Sequence, residues 1–203
     1  MAGVTRRRRN KQPEMERSGD GTVIKYSTLG STVTTDTSGV GYAKRFYIPG
    51  NVSGAYLSNT AGISIAGFYS TGKFTPGTTI RWEPSVSFST PGRVYVGFTD
   101  NPEVANIINQ VSPISAYANA VKGLGDVVSF PVWQETEIKF PTKLRRKMFD
   151  VNITADLTDS NVLDRCAQTV MFMVVDGTPI STSVGSFWFH DRLQLEGLQP
   201  TFT

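Results

Sequence analysis

Residues 76–103, PGTTIRWEPSVSFSTPGRVYVGFTDNPE, constrain the fold more than any other stretch of this sequence. Ile80, Trp82, Val86 and Phe88 alternate with polar residues, and a period of two sets them on one face of a strand. Pro84 interrupts that pattern, as a proline does at a sheet edge or a bulge. The turn STPG follows, and RVYVGF (93–98) runs back as a second strand. Two such runs around a Pro-Gly turn predict an antiparallel hairpin.

Strand patterns recur in GISIAGFYS, DVVSF, ETEIKF, KMFDVNI, CAQTVMFMVVD and VGSFWFHDRLQLEGL. Residues 103–124 break the series. Glu103, Val104, Ile107 and Ile108 follow Pro102 at helical spacing, and Ser112-Pro113 opens a second short helix with Ala116, Tyr117 and Val121. Seven or eight strands with a brief helical insertion predict a two-sheet sandwich. The expected fold is all-β, an antiparallel eight-stranded jelly roll with short helical insertions. Strand counting alone leaves an immunoglobulin-like sandwich open.

Composition narrows the chemistry. At 203 residues the chain fits one domain plus a tail, and no apolar run approaches the ~18 residues of a membrane span. Charged residues are 18% against a usual ~25%. Ser, Thr and Gly take their place, which suits surfaces that pack against other subunits. Cys166 is the only cysteine, so no intrachain disulfide framework exists, and a small buried hydrophobe is the preferred reading. His190 is the only histidine, in a strand-like run, and there is no GxSxG, HExxH, phosphate-loop or paired CxxC pattern. The expectation is a protein that is not an enzyme and requires no cofactor.

The charge is unevenly placed. Arg6, Arg7, Arg8, Arg9, Lys11 and Arg17 stand against only Glu14 and Glu16 in the first 17 residues, while the whole chain is just +3. The remainder is therefore close to neutral. A head with so little apolar surface cannot offset the entropy of ordering it, and is expected to be disordered. No apolar run follows it, so it does not read as a secretory signal. A nucleic-acid-binding arm, a nuclear localisation signal and an inert tail are the open readings, and the first is preferred. Residues 18–35, rich in Ser, Thr and Gly, read as a linker or a loosely paired edge strand. The expected division is a flexible arm over 1–35 and a shell-like domain over 36–203. Residues 18–40 are low enough in charge to pair in one setting and stay disordered in another.

The stretch IRWEPSVSF-TPG-RVYVGFTDNPE resembles the coat proteins of small icosahedral viruses of the tombusvirus-like and sobemovirus-like kind. In these an aromatic-bearing strand, a turn and a Gly-Val-type strand end in an acidic loop. A stretch with Pro131 and Trp133, helical in that outline, and the closing VGSFWFHDRLQLEGLQP continue the likeness over residues 60–200. The resemblance implies a jelly-roll shell domain without a protruding domain, as in sobemoviruses or the short ourmiavirus coats. It also implies self-assembly into an icosahedral virion around single-stranded RNA, or single-stranded DNA, with no membrane partner. Related shells bind calcium between subunits at the loop that here carries Asp100 and Glu103, so a Ca²⁺ site is implied there.

Three groups have competing readings. Lys143, Arg145, Arg146 and Lys147 form a second basic patch, as genome contacts on the inner surface or as a solvated turn. Asp-Asn-Pro-Glu is a calcium loop by resemblance and a turn with a helix cap by its residues. Asp156, Asp159 and Asp164 read as a solvated acidic loop, and Trp82, Trp133 and Trp188 as packing residues rather than base-stacking ones. The rival to a coat protein is a non-assembling nucleic-acid-binding β-domain with a basic tail. A sugar-binding jelly roll leaves the arginines unexplained.

Overall fold

A computed structural model describes residues 14–18, 21–49, 69–111, 114–141, 148–150 and 159–198. Among the described residues eleven strands form two antiparallel sheets. The larger contains β1 (Glu14–Ser18), β2 (Gly21–Thr34), β11 (Ser183–Leu198), β4 (Tyr69–Phe74) and β9 (Phe149–Asp150), in that order. Strand β5 (Thr79–Pro84) continues β4 along β11, and β8 (Thr136–Lys139) pairs with β5. The smaller sheet runs β3 (Gly41–Tyr47), β10 (Thr169–Asp176), β6 (Arg93–Thr99), β7 (Val127–Pro131). Taking β4 with β5 and β8 with β9 as interrupted single strands, with β1 as an addition at the edge, leaves eight. The chain crosses repeatedly between the sheets, and the fold is a jelly roll.

The two sheets bury different patterns for one physical reason. Strand β11 alternates: Phe187, Phe189, Leu193 and Leu195 enter the core, while Trp188, His190, Arg192 and Gln194 lie on the far face. That face of the larger sheet is open. Strand β10 is buried on both sides. Met171, Met173 and Val175 face the core between the sheets. Val170, Phe172 and Val174 pack against Ala105, Ile108, Tyr117, Ala118 and Val121 of the helices α1 (Pro102–Gln110) and α2 (Ile114–Lys122). The near-continuous apolar run of β10 is what two covered faces require.

Both helices start close to where the sequence sets them. Asn101 caps α1, its side chain accepting from the amides of Glu103 and Val104, and Pro102 takes the first helical position. Trp82 is wholly buried against Phe187 at 4.8 Å, with its Nε1 donating to the Val132 carbonyl at 2.8 Å. Cys166 is buried, as a small hydrophobe would be.

Several expectations change. Residues Gly21–Thr34 are neither linker nor loose edge. They form a 14-residue strand held between β1 and β11, and Val23, Ile24, Tyr26 and Val33 are buried. Lys25 and Ser27 sit on the open face, opposite Arg192 and His190, and such residues make the segment look hydrophilic overall. Strand β5 ends at Pro84, so Phe88 stands not on a strand face but at the tip of the β5–β6 turn, 83% exposed. Pro131 ends β7 and Trp133 lies in the turn after it, where no helix forms. The acidic loop contains a third helix, α3 (Ser160–Cys166), capped by Asp159, which accepts from the Asn161 amide. Residues 62–68, the first part of the expected strand 62–70, lie outside the described residues. No described helix is long and apolar enough to cross a membrane.

Candidate functional site

The basic head enters the fold at the edge of the larger sheet. Arg17 belongs to β1, its backbone opposite Thr22 of β2. Arg6, Arg7, Arg8, Arg9 and Lys11 lie outside the described residues, as do Lys143, Arg145, Arg146 and Lys147. The base of the head is therefore fixed, and it sits beside the open sheet face.

That face carries most of the polar chemistry. Lys25 of β2 lies opposite Arg192 of β11, and Ser27 opposite His190, two rungs apart on the same face. The Ser27 hydroxyl and His190 Nδ1 are 2.8 Å apart. Lys25 Nζ is 2.6 Å from Glu16 and 4.0 Å from Glu14, both on β1. Hydrogen bonding and charge from Lys25, with a smaller part from Arg192, hold the Glu16 carboxyl below the usual carboxylate range. Further along, Arg81 pairs with Glu135 at 2.6 Å, and Trp188 donates from its indole nitrogen to Glu83.

Beneath this surface a charge pair ties the sheets together. Asp191 has the inward phase of β11, and its fully buried carboxylate meets Arg45 of β3 at 2.5 Å. The Arg45 guanidinium lies 4.0 Å from the Phe189 ring centre and 4.6 Å from that of Tyr47. Burial pushes the Asp191 carboxyl up, against the pull of Arg45. Desolvation likewise raises the Tyr47 and Tyr26 hydroxyls well above their ordinary value. No catalytic motif in the sequence points to this pair.

The acidic loop is primarily structural in one chain. Asn101, not Asp100, is the cap. Glu103 lines an open cleft with Asn101, Ser160, Asn161 and Asp164, between the starts of α1 and α3, and Asp100 lines an adjoining depression. These are hard oxygen donors of the kind Ca²⁺ takes, but the ion needs 6–8 of them. Among the described residues no group of three or more His, Cys, Asp or Glu could hold a metal.

One end of the sandwich is different in character. The β2–β3, β5–β6, β7–β8 and β10–β11 connections meet there, joined by Thr35 N to Thr182 O (3.0 Å), Ser181 N to Asp36 O (3.0 Å) and Val132 N to Gly92 O (3.1 Å). Gly92, at φ 113°, lies so close to Thr178 that a side chain has no room. Phe88, Trp133 and Ile180 are all exposed on these loops, Ile180 at 61%. Large apolar groups gathered at one end in this way mark a contact surface.

Comparison with known proteins gives a consistent result. A family model described as viral coat protein (S domain) matches residues 2–158. Among individually curated proteins none matches this sequence. Solved structures do. That of tobacco necrosis virus superposes with a TM-score of 0.73 at 16% identity, over 93% of this chain and 88% of that one. For melon necrotic spot virus the TM-score is 0.69 at 14% identity, over 97% of this chain but only 56% of that one. For mud crab tombus-like virus it is 0.64 at 10% identity, covering 97% and 95%.

Proposed function

Because this chain belongs to the viral coat protein (S domain) family, building the wall of a virion from many copies of itself, we propose that it also packages a single-stranded genome, RNA in the first instance, through Arg6–Arg9, Lys11 and Arg17. The observation that carries this reading is the segregation of charge. Six basic residues precede or lie in β1 of a body that is otherwise near neutral. A near-neutral body keeps repulsion between packed copies small. A dense arginine head binds phosphates by releasing counterions, with little preference for sequence. Lys143, Arg145, Arg146 and Lys147 belong to the same reading as further genome contacts.

Deleting residues 1–13 spares β1 and leaves the thermal unfolding of the body unchanged. Particles assembled from the truncated chain should hold less nucleic acid, read as a lower ratio of absorbance at 260 to 280 nm. Truncated shells as full as intact ones overturn the packaging role.

Calcium between copies is a second part of the proposal. Asp100 and Glu103 would supply carboxylate oxygens, with the remainder from a neighbouring subunit, and the ion would neutralise facing carboxylates. Chelator at mildly alkaline pH then expands or loosens the particles, and Asp100→Asn with Glu103→Gln removes most of that response. Sedimentation that ignores chelator would leave this loop with its capping role alone.

A further inference from the structure

We propose that the cleft where β1, β2 and β11 meet the β4–β5 turn binds a phosphate group of a nucleic-acid strand, in exchange for the two glutamates of β1. The cleft has a volume of about 350 Å³, and Lys25, Ser27, Gly77, His190 and Arg192 line it together with Glu14. It is opened by an irregularity in the sheet. Phe74 pairs with Leu193 and Thr79 with His190, so the four residues between them on one strand face only two on the other. The excess bulges outward, and bulges re-aim the side chains beside them.

Arg192 is the residue re-aimed. Its carbonyl accepts from the Thr75 amide at 2.8 Å, and its amide donates to Thr78 Oγ1 at 3.1 Å. Its Nε is buried and has no hydrogen-bond partner among the described residues. Gly77, at φ 103°, sits over the side chain, where even a β-carbon would be 3.5 Å from Arg192 Cδ. A larger residue there would stand on the guanidinium. With Nδ1 of His190 engaged by Ser27, the other ring nitrogen is left for a ligand.

The charge balance explains the exchange. Asp191, in the floor of the cleft, is committed to Arg45. Lys25 and Arg192 are offset by Glu14 and Glu16, which sit on a five-residue edge strand paired to β2 alone. A phosphodiester offers the same charge with oxygens suited to a guanidinium. It also arrives locally, since Arg6–Arg9 precede Glu14 by so few residues that even extended they lie within about 26 Å of it. A strand gathered by the head is thus delivered to the cleft, and the proposal rests on that packaging role. Displacing the glutamates loosens β1.

The test uses the full-length, unassembled chain and a labelled single-stranded oligonucleotide, RNA and DNA in parallel, titrated across a salt series. Lys25→Gln with Arg192→Gln should weaken binding and flatten the salt dependence, by about 0.7 in log–log slope for each phosphate no longer neutralised. Glu14→Gln with Glu16→Gln, both exposed and safe for folding, should tighten binding several-fold. If neither pair shifts affinity while Arg6–Arg9→Gln weakens it, the cleft has no phosphate role and the head keeps its own. If the arginine variant also binds normally, the packaging reading itself falls.

Discussion

Replacing Asp191 with alanine should destabilise the unassembled subunit by about 3–5 kcal/mol, the usual loss when one member of a buried ion pair is removed. The partner cannot escape. Arg45 reaches across the core from β3, held between the Phe189 and Tyr47 rings, and its side chain is only 21% exposed. Without Asp191 its charge stays buried with no counter-charge. Replacing both, Arg45→Met with Asp191→Leu, should recover most of the loss, because paired apolar residues of similar volume are often neutral or better. Equilibrium urea unfolding of the single and double variants measures both effects. A double variant as unstable as Asp191→Ala would show that the charge pair is not the source of the loss.

The second large effect concerns assembly. Phe88→Ser with Ile180→Ser should leave the fold intact and suppress particle formation. Ser87 and Thr90 close the turn that presents Phe88, through the Thr90 amide on the Ser87 carbonyl at 3.0 Å. Full burial of a phenylalanine contributes roughly 1.5–3 kcal/mol, and each 1.4 kcal/mol is about tenfold in association. Repeated at every copy in a shell, that loss shifts the protein to small species at concentrations where the parent assembles. Sedimentation velocity reads it directly. Normal particle yield from the double variant would place the subunit contacts elsewhere.

How much of this the sequence discloses depends on whether a residue's partner is near or far. The alternation of β11 is legible because one of its faces is open, so the pattern is a true period of two. The helices at Pro102 and Ile114 announce themselves by local signals, a capping asparagine and proline placement. Phe88 misleads because Pro84 ends the ladder before it, leaving an apparent alternation with no strand beneath. Strand β2 misleads in the other direction, since its core residues Ile24, Tyr26 and Val33 are diluted by polar ones such as Lys25 and Ser27 that serve the open face. Asp191 carries a signal that could have been used. It is a charged residue at an inward position between Phe189 and Leu193, which demands a buried counter-charge. Only the fold identifies Arg45 as that partner, because the two are far apart in sequence. The Lys25 and Arg192 rung is hidden for the same reason.

The place of β11 in the larger sheet also sets a clock. It pairs with β2 along one side and with β4 and β5 along the other, so the sheet has no centre until residues 183–198 exist. On a ribosome adding roughly 5–20 residues per second, Lys25 waits on the order of ten seconds for Arg192. During that interval β2 has no neighbour on its inner side, and the loops that carry Phe88 and Ile180 are not yet brought together. A nascent chain therefore lacks the finished larger sheet and the assembled loop end until its last strand is made, long after Arg6–Arg9 have left the ribosome.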